Sequence, residues 1–149
     1  MSLSSSAGKR IFVAEDDPAI VELLMVRLEM AGYRVSAAHD GVSALRLILA
    51  NPPAAVILDV NMPRMDGFGV LRGLRASKAC ARTPVLMLTA RKCAADVRAA
   101  RDGGANDYLA KPFDDRQLLA RIERLLRPRI APEPSAAAPV EAGDDAMLI

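Results

Sequence analysis

The fold is decided by one stretch of sequence, Ala54-Ala55-Val56-Ile57-Leu58-Asp59. Its five apolar side chains follow one another without alternation, whereas a strand with one solvent-exposed face usually alternates apolar and polar residues. Such a run suits a strand buried on both faces of a parallel sheet. The carboxylate of Asp59 would be costly to bury there without a nearby cation. The stretch therefore predicts a central strand with a charged site at its carboxyl end.

Similar short apolar runs recur on both sides of this stretch and alternate with segments of helical periodicity. We predict strands at residues 11–14, 35–37, 54–58, 85–88 and 108–110. We predict helices at residues 18–31, 41–50, 68–76, 94–102 and 114–127. The intervening segments are long enough for crossover helices between parallel strands. The pattern predicts an α/β domain of five strand–helix units.

The first and last predicted helices have the clearest signals. Asp17 can cap the first helix, Pro18 suits its first turn, and Gly32 follows its end. In that helix five apolar residues are expected to face the core: Ile20, Leu23, Leu24, Leu28 and Ala31. In the last helix we expect the same of Leu118, Leu119, Ile122, Leu125 and Leu126.

Composition excludes several classes of protein. The chain has 149 residues, 52% of them hydrophobic but only 3% aromatic, which fits one domain with an aliphatic core. Two cysteines, Cys80 and Cys93, and a single histidine are too few for a Cys/His zinc cluster and argue against a disulfide framework. No apolar run is long enough to span a bilayer, and residues 1–8 do not form a secretory signal. We expect a cytoplasmic protein that does not bind membranes.

Charge and composition divide the chain into three segments. We predict an N-terminal tail at residues 1–9, a folded domain at 10–127 and a Pro/Ala-rich acidic linker or tail at 128–149. Residues 129–149 hold one base and four acids, and the remainder holds 19 bases and 14 acids. Because the bases are scattered over several predicted helices, we expect no direct binding of nucleic acid by this chain.

Polar side chains are expected at the carboxyl ends of the strands, where open parallel sheets bind ligands. They are Glu15, Asp16 and Asp17 after the first strand, Asp59 and Asn61 after the third, Thr89 after the fourth and Lys111 after the fifth. Crowded carboxylates repel one another unless a cation neutralises them, so the cluster implies a bound divalent metal. Hard oxygen ligands favour Mg²⁺, with Mn²⁺ as the alternative.

A magnesium site of this kind, with positions left for phosphate oxygens, is typical of phosphoryl transfer. Asp59 is the best candidate for the nucleophile because it ends the most buried strand, and carboxylates form aspartyl phosphates. Lys111 would supply a positive charge to a phosphoryl oxygen, and Thr89 a hydroxyl donor. The residues alone thus predict a phosphoacceptor site.

Four segments resemble the motifs of response-regulator receiver domains. They are Val13-Ala14-Glu15-Asp16-Asp17, Leu58-Asp59-Val60-Asn61-Met62-Pro63-Arg64-Met65-Asp66-Gly67, Leu88-Thr89-Ala90 and Ala105-Asn106-Asp107-Tyr108-Leu109-Ala110-Lys111-Pro112-Phe113. The match covers about residues 10–127. It implies a flavodoxin-like (βα)5 doubly wound three-layer sandwich with a five-stranded parallel sheet.

The resemblance also implies a set of metal ligands. Glu15 and Asp16 would be the acidic pair around Mg²⁺. Asp59 would be both the phosphoacceptor and a metal ligand. The backbone carbonyl of Asn61 would be a further ligand.

A second group of residues would carry the response to phosphorylation. By resemblance, Thr89 would be the switch hydroxyl, Tyr108 the switch aromatic and Lys111 the contact to the phosphoryl group. The Lys111–Pro112 peptide bond is often cis in the family.

The function implied by the resemblance is that of a two-component signalling protein. The domain would accept a phosphoryl group from a sensor histidine kinase or a His-containing phosphotransfer protein. It would then change the surface of its fourth helix, fifth strand and fifth helix, and so signal to a downstream effector domain or protein. It would not be an enzyme beyond self-phosphorylation from a phosphodonor and slow autodephosphorylation.

Other readings of the same residues stay open. A haloacid-dehalogenase-like phosphatase also uses an aspartate nucleophile and Mg²⁺, but it needs a second acid where this chain has Asn61. A pseudo-receiver would act as an interaction module without phosphorylation, although no site residue is lost here. A nucleotide-binding fold is disfavoured because no Gly-rich loop follows the first strand.

Three polar residues near the motifs have simpler interpretations. Asp17 is expected to cap a helix rather than bind metal, because Pro18 follows it directly. Asp66, before Gly67, is expected to shape a loop or cap the third helix. His39 is expected at the surface near the start of the second helix.

Dimerisation is a separate question. Receiver domains that dimerise through the fourth and fifth helices resemble one another in ion pairs across that face, and Asp107 and Arg121 could supply one such pair. Val97 and Gln117 stand where that group usually has a base and an acid. We therefore do not expect this dimer.

Overall fold

The computed structural model describes residues 8–90 and 94–127 of the chain. The elements are β1 (Arg10–Ala14), α1 (Pro18–Met30), β2 (Arg34–Ala38), α2 (Gly41–Ala50), β3 (Ala55–Asp59), α3 (Gly67–Arg75), β4 (Val85–Thr89), α4 (Ala94–Asp102), β5 (Asp107–Ala110) and α5 (Asp115–Leu126). Each agrees with its predicted range to within one residue at either end. The predicted alternation of strands and helices is therefore confirmed.

The five strands form one parallel sheet in the order β2-β1-β3-β4-β5. Helices α1 and α5 pack on one face of the sheet, and α2, α3 and part of α4 pack on the other. The observed arrangement is the doubly wound three-layer sandwich that was predicted. No helix in the described part of the chain is both long enough and apolar enough to cross a bilayer.

Strand β3 occupies the middle of the sheet, as the sequence predicted. All five of its residues are buried, and it is paired to β1 on one side and to β4 on the other. In the strand register Asp59 stands opposite Leu88, and Thr89 stands opposite Ala110. The carboxyl ends of β3, β4 and β5 consequently meet at one edge of the sheet.

The core face of α1 differs from the prediction. Leu23 is 38% exposed, and Val21, which was not assigned to the core, is 6% exposed. Val21, Leu24 and Leu28 are the buried residues of this helix. Because α1 also carries apolar residues on its outer side, its sequence pattern does not fix which stripe turns toward the sheet.

Fewer residues of helix α5 are buried in the core than predicted. Leu118 and Ile122 are buried, whereas Leu119, Leu125 and Leu126 pack at the edge of the core and are only partly buried. One helix turn separates the two buried residues, which is the spacing expected for a helix lying on a sheet. The remaining apolar residues flank this stripe.

Aspartates cap four of the helices. The Asp17 carboxylate accepts a hydrogen bond of 2.9 Å from the backbone N–H of Ala19, and the Asp66 carboxylate accepts one of 2.9 Å from that of Gly69. Side-chain oxygens at these positions satisfy N–H groups that the first helical turn leaves without partners. The predicted capping roles of Asp17 and Asp66 agree with this geometry.

The predicted terminal segments, 1–9 and 128–149, lie outside the described residues apart from Gly8 and Lys9. The carbonyl of Lys9 accepts a hydrogen bond of 2.9 Å from the backbone N–H of Arg34, so chain pairing begins before β1. Cys80 is a buried free thiol, as expected for a reduced cysteine. Cys93 lies outside the described residues.

Candidate functional site

Three carboxylates meet at the carboxyl edge of the sheet. Glu15 follows β1 directly, Asp16 comes next, and Asp59 is the last residue of β3. One oxygen from each lies within 4.8 Å of the others. Glu15 and Asp59 are almost completely buried, with 1% and 3% of their surfaces exposed, whereas Asp16 is exposed. The predicted acidic cluster is thus assembled by two neighbouring strands.

Lys111 extends from the end of β5 into this cluster. Its Nζ lies 2.9 Å from Glu15 Oε1 and 3.3 Å from Asp59 Oδ1. Its backbone N–H donates a hydrogen bond of 2.7 Å to the carbonyl of Thr89. The Lys111–Pro112 peptide bond is cis, as the sequence resemblance led us to expect. Lys111 therefore supplies positive charge to the two buried carboxylates.

Burial dominates the electrostatics of the site. Desolvation raises the pKa of Glu15 and of Asp59 above their ordinary values, although Lys111 opposes the shift in both cases. Burial alone lowers the pKa of Lys111, but its hydrogen bond to Glu15 and the charge of Asp59 outweigh that effect and raise it overall. The cluster holds more negative charge than one lysine neutralises.

The donor set fits a hard divalent cation. All three candidate ligands offer carboxylate oxygens, which Mg²⁺ and Mn²⁺ prefer. Glu15 Oε1 is buried, and it contacts Lys111 Nζ at 2.9 Å in an ion pair. A buried carboxylate oxygen in this position can bind a divalent cation. The residues present therefore suit the metal that the sequence predicted.

The remaining predicted site residues lie around the cluster. Thr89 is fully buried at the end of β4, and Tyr108 is partly buried and packs against the core on the α3 side of the sheet. Asn61 is exposed, and its backbone N–H donates a hydrogen bond to the Asp59 carboxylate. Thr89 ends β4, Tyr108 lies within β5, and Asn61 lies in the loop that follows β3.

His39 and Asp17 both contact Glu15 of the cluster. His39 is exposed, with Nδ1 3.3 Å from the backbone carbonyl of Glu15. The backbone N–H of Asp17 donates a hydrogen bond of 3.1 Å to Glu15 Oε2. The Asp17 carboxylate itself points to its helix cap. Asp17 thus orients Glu15 from its backbone.

Gly67 also shapes the site, although its sequence position did not predict this role. Its N–H donates a hydrogen bond of 2.8 Å to the carbonyl of Val60. A Cβ atom at this position would lie 2.3 Å from the backbone oxygen of Asp59 and 2.9 Å from Val60 Cα. Only glycine lets the start of α3 approach the acceptor strand so closely. The Asp66-Gly67 dipeptide was a visible turn signal, but it did not reveal this approach.

Comparison with known proteins identifies the family. The family model described as the response regulator receiver domain matches residues 11–123. The chain belongs to the response regulator receiver domains. This receiver domain contains the four motifs that carried the resemblance, in the expected order.

Two curated relatives illustrate the similarity. The DNA-binding dual master transcriptional regulator RpaA of Synechocystis is 46% identical over 118 residues, which cover 79% of this chain and 49% of the relative. Response regulator MprA of Mycobacterium tuberculosis is 48% identical over 127 residues, which cover 85% of this chain and 54% of the relative. The receiver domain thus spans about half the length of these relatives.

A solved structure of the same family has a similar fold. The receiver domain of sensor histidine kinase PA1611 from Pseudomonas aeruginosa matches with a TM-score of 0.76 and 33% identity, over 80% of this chain and 98% of that one. In that protein a magnesium ion is coordinated in the active site cleft. The flavodoxin-like class predicted for this receiver domain is confirmed.

The pair suggested for dimerisation has partners within the receiver domain itself. Arg121 Nη1 lies 2.7 Å from Asp107 Oδ1, and Arg124 Nη2 lies 3.4 Å from Asp107 Oδ2. Gln117 forms a reciprocal capping box with Asp114 at the start of α5. Asp107 and Arg121 thus form an ion pair between β5 and α5 of the same chain.

One prediction follows from the raised pKa of Asp59. The pKa lies above its ordinary value of 3.8, so the charged form is less stable in the fold than in the unfolded chain. With metal removed by EDTA, we expect Asp59→Asn to raise the free energy of unfolding at neutral pH by about 1 kcal/mol. The gain should shrink as the pH falls through the folded pKa and vanish below 3.8, where Asp59 is neutral in both states.

Urea titrations between acidic and neutral pH would measure this effect, with the exposed Asp102→Asn as the control. A stability gain that does not change with pH would contradict the electrostatic explanation.

Proposed function

We propose that this receiver domain accepts a phosphoryl group on Asp59 in a reaction that requires Mg²⁺ or Mn²⁺. The observation that carries the proposal is the approach of Lys111 to a buried acidic pair. Its ammonium group lies 2.9 Å from Glu15 and 3.3 Å from Asp59. A permanently charged donor beside a buried carboxylate at a strand end is the arrangement needed to hold a phosphoryl group.

The chemistry of the step follows from these groups. An oxygen lone pair of Asp59 forms a new O–P bond while the bond from phosphorus to the donor breaks. The leaving group takes the electron pair of the broken bond. From a phosphohistidine it is the imidazole, which holds a proton, and from a small acyl phosphate it is the carboxylate anion. Lys111 would stabilise the negative charge on a phosphoryl oxygen. The buried strand β3 would hold the Asp59 carboxylate in place for attack.

Glu15, Asp16 and Asp59 would hold the metal, and the backbone carbonyl of Asn61 would be a further ligand. The bound ion would neutralise the carboxylates and the incoming phosphoryl charge. Asn61 has no carboxylate with which to activate water for rapid hydrolysis. We therefore assign self-phosphorylation and slow autodephosphorylation to the domain rather than multiple-turnover phosphatase activity.

Phosphorylation with acetyl phosphate tests the proposal, with intact mass as the readout. Wild-type protein should gain a phosphoryl group in the presence of Mg²⁺ and none in EDTA. Asp16→Asn should slow labelling by about tenfold, because it weakens one metal ligand. The matched variant Asp17→Asn should label normally, since Asp17 caps α1. Equal labelling with and without metal would refute the metal requirement.

We further propose that phosphorylation changes the surface formed by α4, β5 and α5. A phosphoryl group adds up to about two negative charges and three acceptor oxygens beside Lys111. Thr89, buried at the end of the neighbouring strand, would move to donate a hydrogen bond to it. Tyr108 would then move inward, and the α4-β5-α5 surface would report the event to an effector.

Thr89→Ala should separate phosphorylation from this response. The variant retains nucleophile, lysine and carboxylates, so labelling should stay within about threefold of wild type, in line with the modest contribution of one hydrogen bond. With beryllofluoride in place of the phosphoryl group, NMR shifts at Tyr108 should be much smaller than in wild type. Thr83→Ala, a buried threonine before β4, is the control. A full response at Tyr108 in Thr89→Ala would exclude the hydroxyl as the link.

The partners proposed for this domain are a sensor histidine kinase or a His-containing phosphotransfer protein upstream and an effector downstream. RpaA is a DNA-binding regulator, and the matched relatives are about twice as long as the matching region. We propose that any nucleic-acid binding in such a pathway belongs to the effector and not to residues 10–127.

A further inference from the structure

A cavity lies at the opposite end of the strands from Asp59. It measures about 800 Å³ and lies between the end of α3, the loop before β4, the start of β5 and the end of α5. Among its lining residues are four arginines, Arg75, Arg82, Arg124 and Arg127. Asp107 is the one acidic residue among those lining it in the described part of the chain. The cavity is therefore strongly basic.

Most of this positive charge has no acidic partner. Arg124 approaches Asp107 at 3.4 Å, but Asp107 is already paired to Arg121 at 2.7 Å. Within residues 8–90 and 94–127, neither Arg82 nor Arg127 forms an ion pair. A cavity with this excess of guanidinium groups attracts anionic groups, above all carboxylates and phosphates.

Arg75 is the most enclosed of the four. Its guanidinium donates to four neutral oxygens, the carbonyls of Gly104, Cys80 and Ala81 and the side-chain oxygen of Asn106. It has no ion pair with any described carboxylate. Burial lowers the pKa of Arg75, which means that its charge is poorly solvated. An anion entering the cavity would compensate that charge.

An acidic segment of the sequence follows Arg127, which lines this cavity. Arg127 lines the cavity and is the last described residue. The segment that follows, residues 129–149, contains Arg129 and the four acids Glu133, Glu141, Asp144 and Asp145, a net charge of 1 − 4 = −3. An extended chain advances about 3.3–3.6 Å per residue, so even Glu133 can reach any part of the cavity.

We infer that the acidic segment 129–149 binds in the arginine-lined cavity of its own receiver domain. Charge complementarity and attachment at Arg127 carry the inference. Tethering gives the segment an effective concentration in the millimolar range, so weak ion pairs suffice to fill the cavity. The inference is independent of whether Asp59 is phosphorylated.

Cleavage of the full chain by trypsin at Arg129–Ile130 tests the contact. At low salt the bond should be cleaved about fivefold more slowly in wild type than in Glu141→Gln/Asp144→Asn/Asp145→Asn, as expected for a few tethered exposed ion pairs. These substitutions lie far in sequence from the cleaved bond and outside the described fold. At about 1 M salt the two rates should converge, because screening removes exposed ion pairs.

Variants of the cavity provide the other half of a double-mutant cycle. Arg82→Gln/Arg124→Gln should accelerate cleavage as much as the tail variant does, and the combined variant should show no additional effect. Arg116→Gln, an exposed change at the other end of α5, is the matched control. Equal low-salt cleavage rates in wild type and the tail variant would overturn the inference, as would fully additive effects.

Binding of pyrophosphate distinguishes two possible occupants of the cavity, the acidic segment 129–149 and an external polyanion. We expect it to shift the backbone NMR signals of Arg82, Gly104 and Asn106 at lower concentration in the tail variant than in wild type, because the acidic segment competes for the cavity. If pyrophosphate binds both proteins equally well, the cavity is a site for an external polyanion and the inference is wrong.

Discussion

Asp59→Asn is expected to reduce labelling by acetyl phosphate at least about a thousandfold, to the limit of detection. Asparagine keeps the size and hydrogen bonding of the side chain but lacks the anionic oxygen that attacks phosphorus. Because the residue is buried at the end of β3, no other carboxylate can take its position. The same variant should be more stable than wild type without metal, so loss of labelling would not reflect unfolding.

Asp66→Asn is the matched control for this experiment. Asp66 lies in the same loop motif, but its carboxylate accepts the capping hydrogen bond from Gly69 and it is exposed. It should label at the wild-type rate. Borohydride reduction of labelled wild type followed by peptide mapping should place the modification on residues 54–64. Labelling retained in Asp59→Asn, or mapped to Glu15 or Asp16, would contradict the assignment.

Gly67→Ala is expected to have a large effect on the stability of the domain. The added Cβ would stand 2.3 Å from the Asp59 carbonyl oxygen, a distance that requires backbone movement. Overpacking of this kind lowers the free energy of unfolding by about 3 kcal/mol. Since the displaced backbone carries the acceptor, labelling should also slow by about tenfold.

Gly69→Ala separates this backbone clash from the general effect of replacing a helical glycine. Its Cβ would approach Cγ and Sδ of Met65, the side chain of which can move away. Alanine also favours the helix by up to about 1 kcal/mol relative to glycine. Stability should therefore change by less than about 1 kcal/mol. Urea denaturation compares the two variants, and similar losses in both would show that the contact with Asp59 is unimportant.

The fold was predictable from the sequence because its strongest signals are local. The uninterrupted run before Asp59 predicted a strand buried on both faces, and β3 has that environment. Helix α2 ends just before Asn51 and two prolines, and helix α4 ends just before two glycines, which are visible stop signals in the sequence. Parallel strands place their carboxyl ends together, so grouping Glu15, Asp59 and Lys111 required only the strand order.

Other features depend on how the elements pack and left no local signal. Leu23 and Val21 are both apolar, and only the rotation of α1 against the sheet decides which is buried. The partner of Asp107 depends on the placement of α5. The basic cavity unites Arg75, Arg82 and Arg124, which are far apart in the sequence. A sequence pattern does not show which distant residues come together when the helices and strands pack.

The central position of β3 has a mechanical consequence. The acceptor strand has a neighbour on both sides and no exposed residue, whereas β5 lies at the sheet edge, with one neighbouring strand and three of its four residues partly exposed. Strand β3 is therefore expected to be more rigid than the edge strand β5. If phosphorylation of Asp59 moves the ends of the strands, as proposed, β5 should therefore move more than β3. A fluorescent reporter attached beside β5 should respond to phosphorylation, whereas one inserted beside β3 should disrupt the packing of the central strand.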